Sequence, residues 1–210
     1  MPAPFDTYLE KIQNDYKGGK ATEYTYRSTL ENLLESLARG IQASNDPKHV
    51  ECGAPDFIVE RRKVPLGYVE TKDVGELLDK IEKSDQLKRY RASLHNLILT
   101  DYLEFRWYVN GTLRLTARIG SIGKAHKIVS DPDGIAQAKQ LFKGFYETEV
   151  PIVDSPKDLA QRMASLTRFV RDRIVDALRQ EDEQGVFHKQ LDAFRLQLIP
   201  NLTSEEFADL

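Results

Sequence analysis

Pro55-Asp56-Phe57-Ile58-Val59-Glu60-Arg61-Arg62-Lys63-Val64-Pro65-Leu66-Gly67-Tyr68-Val69-Glu70-Thr71-Lys72 is the stretch whose reading decides the fold. Phe57-Ile58-Val59 and Gly67-Tyr68-Val69 are short β-favouring runs. The charged, proline-containing segment from Glu60 to Leu66 suits a turn, so the stretch predicts a β-hairpin. Asp56 then opens one strand and Glu70 ends its neighbour. In an antiparallel pair these positions lie at the same end of the ladder, where two side chains converge. Glu70 and Lys72, two residues apart, share a face while Thr71 points away.

Two carboxylates on one face form a hard oxygen site that suits Mg2+, with Mn2+ as a substitute and with water and a phosphate oxygen completing the shell. A metal held there polarises a phosphoryl group and lowers the pKa of a bound water, while Lys72 orients that water or stabilises transition-state charge. The implied substrate is a phosphodiester. Short acid-and-lysine patterns also arise by chance in a chain that is 30% charged. The plain alternative is that Asp56 caps a turn and Glu70 pairs with Lys72 on a solvated strand face.

Upstream, Tyr26, Leu30, Leu33, Leu34 and Leu37 recur at helical spacing over Thr25 to Leu37, with Glu31 beside the stripe. Downstream, Leu77, Leu78, Ile81, Leu87 and Tyr90 predict a second helix over Glu76 to Arg91, on which Gln86 and Tyr90 share a face.

Taken in order, Glu31, Pro55-Asp56, Glu70-Thr71-Lys72 and Gln86-x-x-x-Tyr90 resemble the PD-(D/E)XK nuclease superfamily, in the subgroup with a QxxxY helix motif typified by RecB-like nucleases. More narrowly, Tyr26 to Leu34 and Leu99-Thr100-Asp101-Tyr102-Leu103-Glu104-Phe105 resemble the amino-terminal nuclease domain of single-chain Type ISP and Type IIG restriction-modification enzymes. The resemblance implies an α/β, restriction-endonuclease-like core with a central mixed sheet of four or five strands flanked by helices, plus a C-terminal helical extension. It implies Asp56 and Glu70 as metal ligands, the Thr71 backbone carbonyl as a further one, and Glu31 reaching the metal directly or through water. Lys72 serves catalysis, Gln86 touches a phosphate or positions water, and Tyr90 supports by packing. Double-stranded DNA is the implied substrate. An adenine methyltransferase, and in Type ISP members a helicase-like motor, are the implied covalent partners. Two alternatives stay open: a non-catalytic DNA-docking or assembly module of such an enzyme, and a repair or junction-resolving nuclease built on the same core.

The composition fits a cytoplasmic enzyme domain without choosing the chemistry. At 210 residues the chain can bury a good core, and with one cysteine, Cys52, it has no disulfide framework. Cys52 lies in a strand-like His49-Val50-Glu51-Cys52 stretch and reads as a small buried apolar residue. No signal peptide or membrane-length apolar run is present. A net charge of -3 argues for weak intrinsic DNA affinity, since phosphate neutralisation supplies most non-specific binding. Local cations, Arg61-Arg62-Lys63 on the hairpin tip and Lys80, Lys83, Lys88, Arg89 and Arg91 on the next helix, are expected to flank the site. The four histidines lack metal-ligand spacing, and neither a phosphate-binding P-loop nor a dinucleotide fingerprint occurs.

The rest of the chain gives organisation. Residues 1–20 carry a short helix from Phe5 to Tyr16 and a glycine joint, 21–150 the nuclease core, and 151–210 a helical linker toward a downstream motor or methyltransferase. Strands are predicted at 96–100, 105–109 and 112–119, with Asn110-Gly111 as a hairpin turn, and a helix at 132–147. Leu159, Met163, Leu166, Val170, Ile174 and Leu178 mark an amphipathic helix over 157–181, with a second helix near 185–198 to cover it. Thr203 and Glu206 form a capping box that opens a helix just before the last residue, which reads as a fragment of a longer protein.

Overall fold

The computed structural model describes residues 3–17, 23–45, 55–149, 156–180 and 185–210. Those up to 149 form one compact unit and those from 156 onward another. The first unit is α/β. Its elements are α1 (Pro4–Lys17), α2 (Glu23–Leu37), β1 (Ile41–Ser44), β2 (Phe57–Arg61), β3 (Val64–Thr71), α3 (Leu78–Ile81), α4 (Asp85–Ser93), β4 (Asn96–Thr100), β5 (Glu104–Val109), β6 (Thr112–Arg118), β7 (Gly120–Ile122), β8 (Ile128–Ser130) and α5 (Pro132–Glu147). The predicted Cys52 strand lies outside the described residues.

Strands β1 to β6 form one mixed sheet in chain order. Every neighbouring pair is antiparallel except β3 and β4. A parallel pair needs a crossover, and α3 and α4 are its helices. All five residues of β4 are buried, as expected of a central strand covered on both faces. The sixth strand is β1, whose four residues are too few to declare a period in the sequence.

The larger core is aromatic-rich. Phe5, Leu30, Leu34, Phe142 and Phe145 from α1, α2 and α5 meet Phe57, Val59, Val69, Ile98 and Phe105 of the sheet. Gly67 makes the approach of α5 possible: a Cβ there would stand 2.6 Å from the Phe145 ring and 2.8 Å from the Asn96 carbonyl oxygen. The Asn96 amide then ties the layers by donating to the carbonyls of Leu66 at 2.8 Å and Phe145 at 2.9 Å.

Two local features depart from expectation. The hairpin strands run on through most of the presumed turn, leaving a two-residue loop, Arg62-Lys63, with φ of 54° and 65°. Strand twist favours such left-handed turns, normally built from Asn-Gly, so two long cations here cost on the order of 1–2 kcal/mol each. The predicted single helix over 76–91 is two helices. Ser84 is extended (φ -65°, ψ 150°) and its hydroxyl accepts from the Leu87 N–H, an N-cap that restarts the chain as α4.

The break lets α3 turn its acids toward β5. Arg106 pairs with Asp79 at 2.6 Å, Glu82 at 2.8 Å and Glu104 at 2.6 Å, and buried Glu104 also takes Arg118. Glu82 further accepts the Tyr108 hydroxyl, and Arg91 of α4 lies over the Tyr108 ring at 4.9 Å.

In the second unit, α6 (Pro156–Gln180), α7 (Val186–Gln197) and α8 (Ser204–Ala208) meet through Leu178, Leu191 and Leu202, with Ile174, Phe194 and Phe207 around them. The Thr203–Glu206 capping box is formed. This cover reaches only the end of α6, because Leu159, Met163 and Val170 are 46%, 58% and 53% exposed. Among the described residues no helix is long and apolar enough to cross a membrane.

Asp101 shapes the β4–β5 turn by accepting from the N–H groups of Leu103 at 3.0 Å and Glu104 at 2.6 Å, while Tyr102 takes φ of 70°. Burial raises the Asp101 carboxyl above its ordinary value despite these two donors, with Glu104 adding to the rise. A raised carboxyl stabilises the fold below its unfolded pKa of about 4 and loses that contribution as pH climbs through the folded value. Asp101→Asn keeps the acceptor and removes the charge. Its thermal midpoint should match wild type near pH 4 and exceed it at pH 8, as followed by circular dichroism.

Candidate active site

The hairpin brings its two acids to one end. The last β2–β3 partners are Phe57 and Val69, so Asp56 and Glu70 are the next residues along the two strands. Both are buried, at 5% and 4% exposure. This edge is also where β3 and β4 run parallel, with Glu70 opposite Leu99 and the Lys72 N–H continuing the ladder to the Thr100 carbonyl at 2.9 Å. Carboxyl ends of parallel strands are the habitual ligand-binding edge of open α/β sheets.

Each acid is met by a cation. The Arg27 guanidinium of α2 lies 2.5 Å from Asp56 Oδ1, and the Lys72 ammonium lies 2.7 Å from Glu70 Oε1. Asp56 Oδ2 accepts the Thr71 backbone N–H and the Thr71 hydroxyl, both at 2.7 Å. A carboxylate this deep is tenable only when paired and hydrogen-bonded, and these contacts meet that condition. Glu70 does pair with Lys72, but at a buried position, not on a solvated strand face.

The remaining predicted residues divide. Gln86 donates to the Tyr90 hydroxyl at 3.1 Å, and Tyr90 is fully buried, consistent with packing. Glu31 makes no hydrogen bond or ion pair among the described residues. Burial, and secondarily Glu35, raises its carboxyl above the ordinary range. The α2 residue that reaches Asp56 is Arg27, one turn before Glu31. Sequence reasoning missed it, although four-residue spacing put it on the Glu31 side of the helix.

The hairpin-tip run does not flank the acids. Arg61-Arg62-Lys63 occupies the far end of the hairpin, roughly 16 Å from Asp56 at the usual rise of about 3.3 Å per strand residue. Arg91 is taken up by the Gly111 carbonyl and the Tyr108 ring, and Lys88 by Asp85.

Among the described residues no three His, Cys, Asp or Glu side chains cluster as a metal site. The donor set at the edge still suits a hard dication: two buried carboxylates and the neighbouring Thr71 main chain. Their fit is conditional, because Arg27 and Lys72 supply the balancing charge that a dication would bring.

No family model matches the chain, and no curated protein does. Among solved structures, a cryoEM structure of a DrdV–DNA complex is similar with a TM-score of 0.47 and 20% identity, over 69% of this chain and 99% of that one. A likeness of that degree says nothing about chemistry, which the residues themselves must carry.

Thr71→Val removes one charge-assisted hydrogen bond to Asp56 without changing volume much. A stability loss of about 1.5–3 kcal/mol is expected in urea unfolding, with Thr71→Ser losing less. Equal losses for both would mean that the hydroxyl does not hold Asp56.

Proposed function

We propose that this chain is a metal-dependent DNA endonuclease domain of restriction-modification type, with the restriction-endonuclease-like core and PD-(D/E)XK chemistry that its motifs resemble. The observation that carries the reading is that Asp56 and Glu70, both buried, follow the last β2–β3 partners at the same end of the hairpin, with Lys72 against Glu70. Mg2+, or Mn2+ in its place, is the proposed cofactor, and when bound it supplies Lewis acidity toward a phosphoryl oxygen and acidifies water.

Asp56, Glu70 and the Thr71 carbonyl hold the ion, with Glu31 contributing through water. The Thr71 N–H and hydroxyl keep Asp56 aimed. Lys72, with a side chain 22% exposed, meets solvent and would meet the substrate. Released from Glu70, its ammonium stabilises charge growing on the scissile phosphate or orients the attacking water. Gln86 contacts a phosphate or that water. Covalently linked methyltransferase and motor domains are the proposed partners that deliver double-stranded DNA to a chain of net charge -3.

A second reading has its own observation. Asp56 is held by Arg27 and Thr71 as a finished structural unit, which suits a docking or assembly module that keeps the core without cleavage.

Plasmid nicking decides between them. With Mg2+ or Mn2+, Asp56→Ala and Lys72→Ala should cut supercoiled DNA at least about 100-fold more slowly than the unaltered chain while keeping its circular dichroism. Cutting at the same rate by both variants removes the nuclease reading.

Arg27 gives a test that needs no cleavage. In EDTA, Arg27→Ala leaves Asp56 buried without its guanidinium and should lose about 3–5 kcal/mol. Added Mg2+ should restore part of that loss and should raise the midpoint of Arg27→Ala more than that of wild type, because a ligand stabilises in proportion to its occupancy of the folded state. A variant midpoint indifferent to Mg2+ favours the docking module.

A further inference from the structure

The basic run at the hairpin tip, displaced from the carboxylate edge, lies beside a cleft at the other end of β2. The cleft has a volume of about 370 Å³, and Arg61, Lys139 and Lys143 line it together with Phe142, Tyr146 and a single acid, Glu147. Its size is that of a small-molecule site. Lys139 and Lys143 stand one turn apart on α5, both exposed. Like charges at that spacing repel each other. None of the three cations forms an ion pair or side-chain hydrogen bond among the described residues, and the Arg61 Nε is buried with no acceptor.

Two features bear on the case. The carbonyl ends of α2 and α5 favour cations at this place and weigh against an anion. They do not account for a buried guanidinium nitrogen that finds no carbonyl. Arg61 is also close enough for its charge to ease ionisation of the Tyr146 hydroxyl, which burial otherwise suppresses and which donates to the Leu34 carbonyl at 2.8 Å. The arrangement is a cationic rim over an apolar aromatic floor, which suits an anion with several acceptor oxygens. Phosphate supplies them and matches the guanidinium fork.

We propose that the Arg61–Lys139–Lys143 cleft is a second ligand site, which takes the phosphate group of a nucleotide-class ligand at the end of the hairpin opposite Asp56 and Glu70. It does not depend on the nuclease reading. The phosphate comes either from a free nucleotide or from a nucleic-acid backbone.

Isothermal titration of the full chain with inorganic phosphate, with deoxyadenosine 5′-monophosphate and with a short DNA duplex tests the site. Lys139→Gln/Lys143→Gln and Arg61→Gln are compared with wild type and with Asp56→Ala. The lysine pair is exposed, so that double variant keeps its circular dichroism and serves if Arg61→Gln misfolds. Saturable 1:1 binding of the mononucleotide that weakens at least tenfold in the lysine variant and persists in Asp56→Ala is expected, and assigns a free nucleotide. Duplex binding without mononucleotide binding, with a salt dependence shallower by about two released counterions in the lysine variant, assigns the backbone. No binding of any probe, or binding that the lysine variant leaves unchanged, overturns the site.

Discussion

Everything at the carboxylate edge follows from the cost of putting Asp56 and Glu70 out of water. A bare carboxylate in that position would shift to its neutral form or unfold its surroundings, so its neighbours are set by necessity. Thr71 must end β3 with both its N–H and its hydroxyl facing Asp56, which fixes the hairpin register. Arg27 must face the sheet, which fixes the rotation of α2 and therefore which of its residues enter the core. Tyr26, Leu30, Leu33 and Leu34 are buried on the face this rotation selects. The charge pairs are thus part of the folding problem before they are part of any chemistry.

That constraint bears on how metal chemistry could operate here. A site whose acids are already neutralised by Arg27 and Lys72 is stable without an ion, and a dication competes with side chains instead of filling a void. The exchange has unequal halves. Lys72 is the more exposed of the two cations and can swing to solvent, whereas Arg27 is 3% exposed and has little room to retreat. Asp56 therefore resists rearrangement more than Glu70, and in the proposed reading a phosphate near Lys72 would lower the cost of separating the Lys72–Glu70 pair. Under the proposed nuclease reading, metal and substrate would then help each other to bind.

Much of this was legible in the chain. Hydrophobic runs and turn residues located the core strands, and one face of α2 was plain from Tyr26 to Leu37. The acids fell at one end of the hairpin because strand pairing leaves no other place for Asp56 and Glu70. Other features were hidden for physical reasons. Ser84 reads as an ordinary helix residue until its cap is seen, since helical spacing continues on either side of it. Arg27 has no role legible in the sequence because nothing local reveals that Asp56 lies across from it, 29 positions along the chain. Arg61, Arg62 and Lys63 stand at the hairpin tip as expected but do not flank the acids, because charge near a motif in sequence is not charge near it in space.

That last displacement follows from the hairpin itself. A strand pair has two ends, and in this one β2 runs from Phe57 to Arg61 while β3 returns from Val64 to Thr71, so Asp56 and Glu70 fall at one end and Arg61, Arg62 and Lys63 at the other. Had the turn been Asn-Gly, the same backbone would cost less and the far end would carry only Arg61. Arg62 and Lys63 instead hold left-handed conformations that favour glycine, beside a cleft where Lys139 and Lys143 repel one another. Strain and like-charge crowding at one place both oppose folding, and neither is relieved by a contact among the described residues. An anion would relieve the second directly, so the ligand of the proposed cleft would also stabilise that end of the molecule.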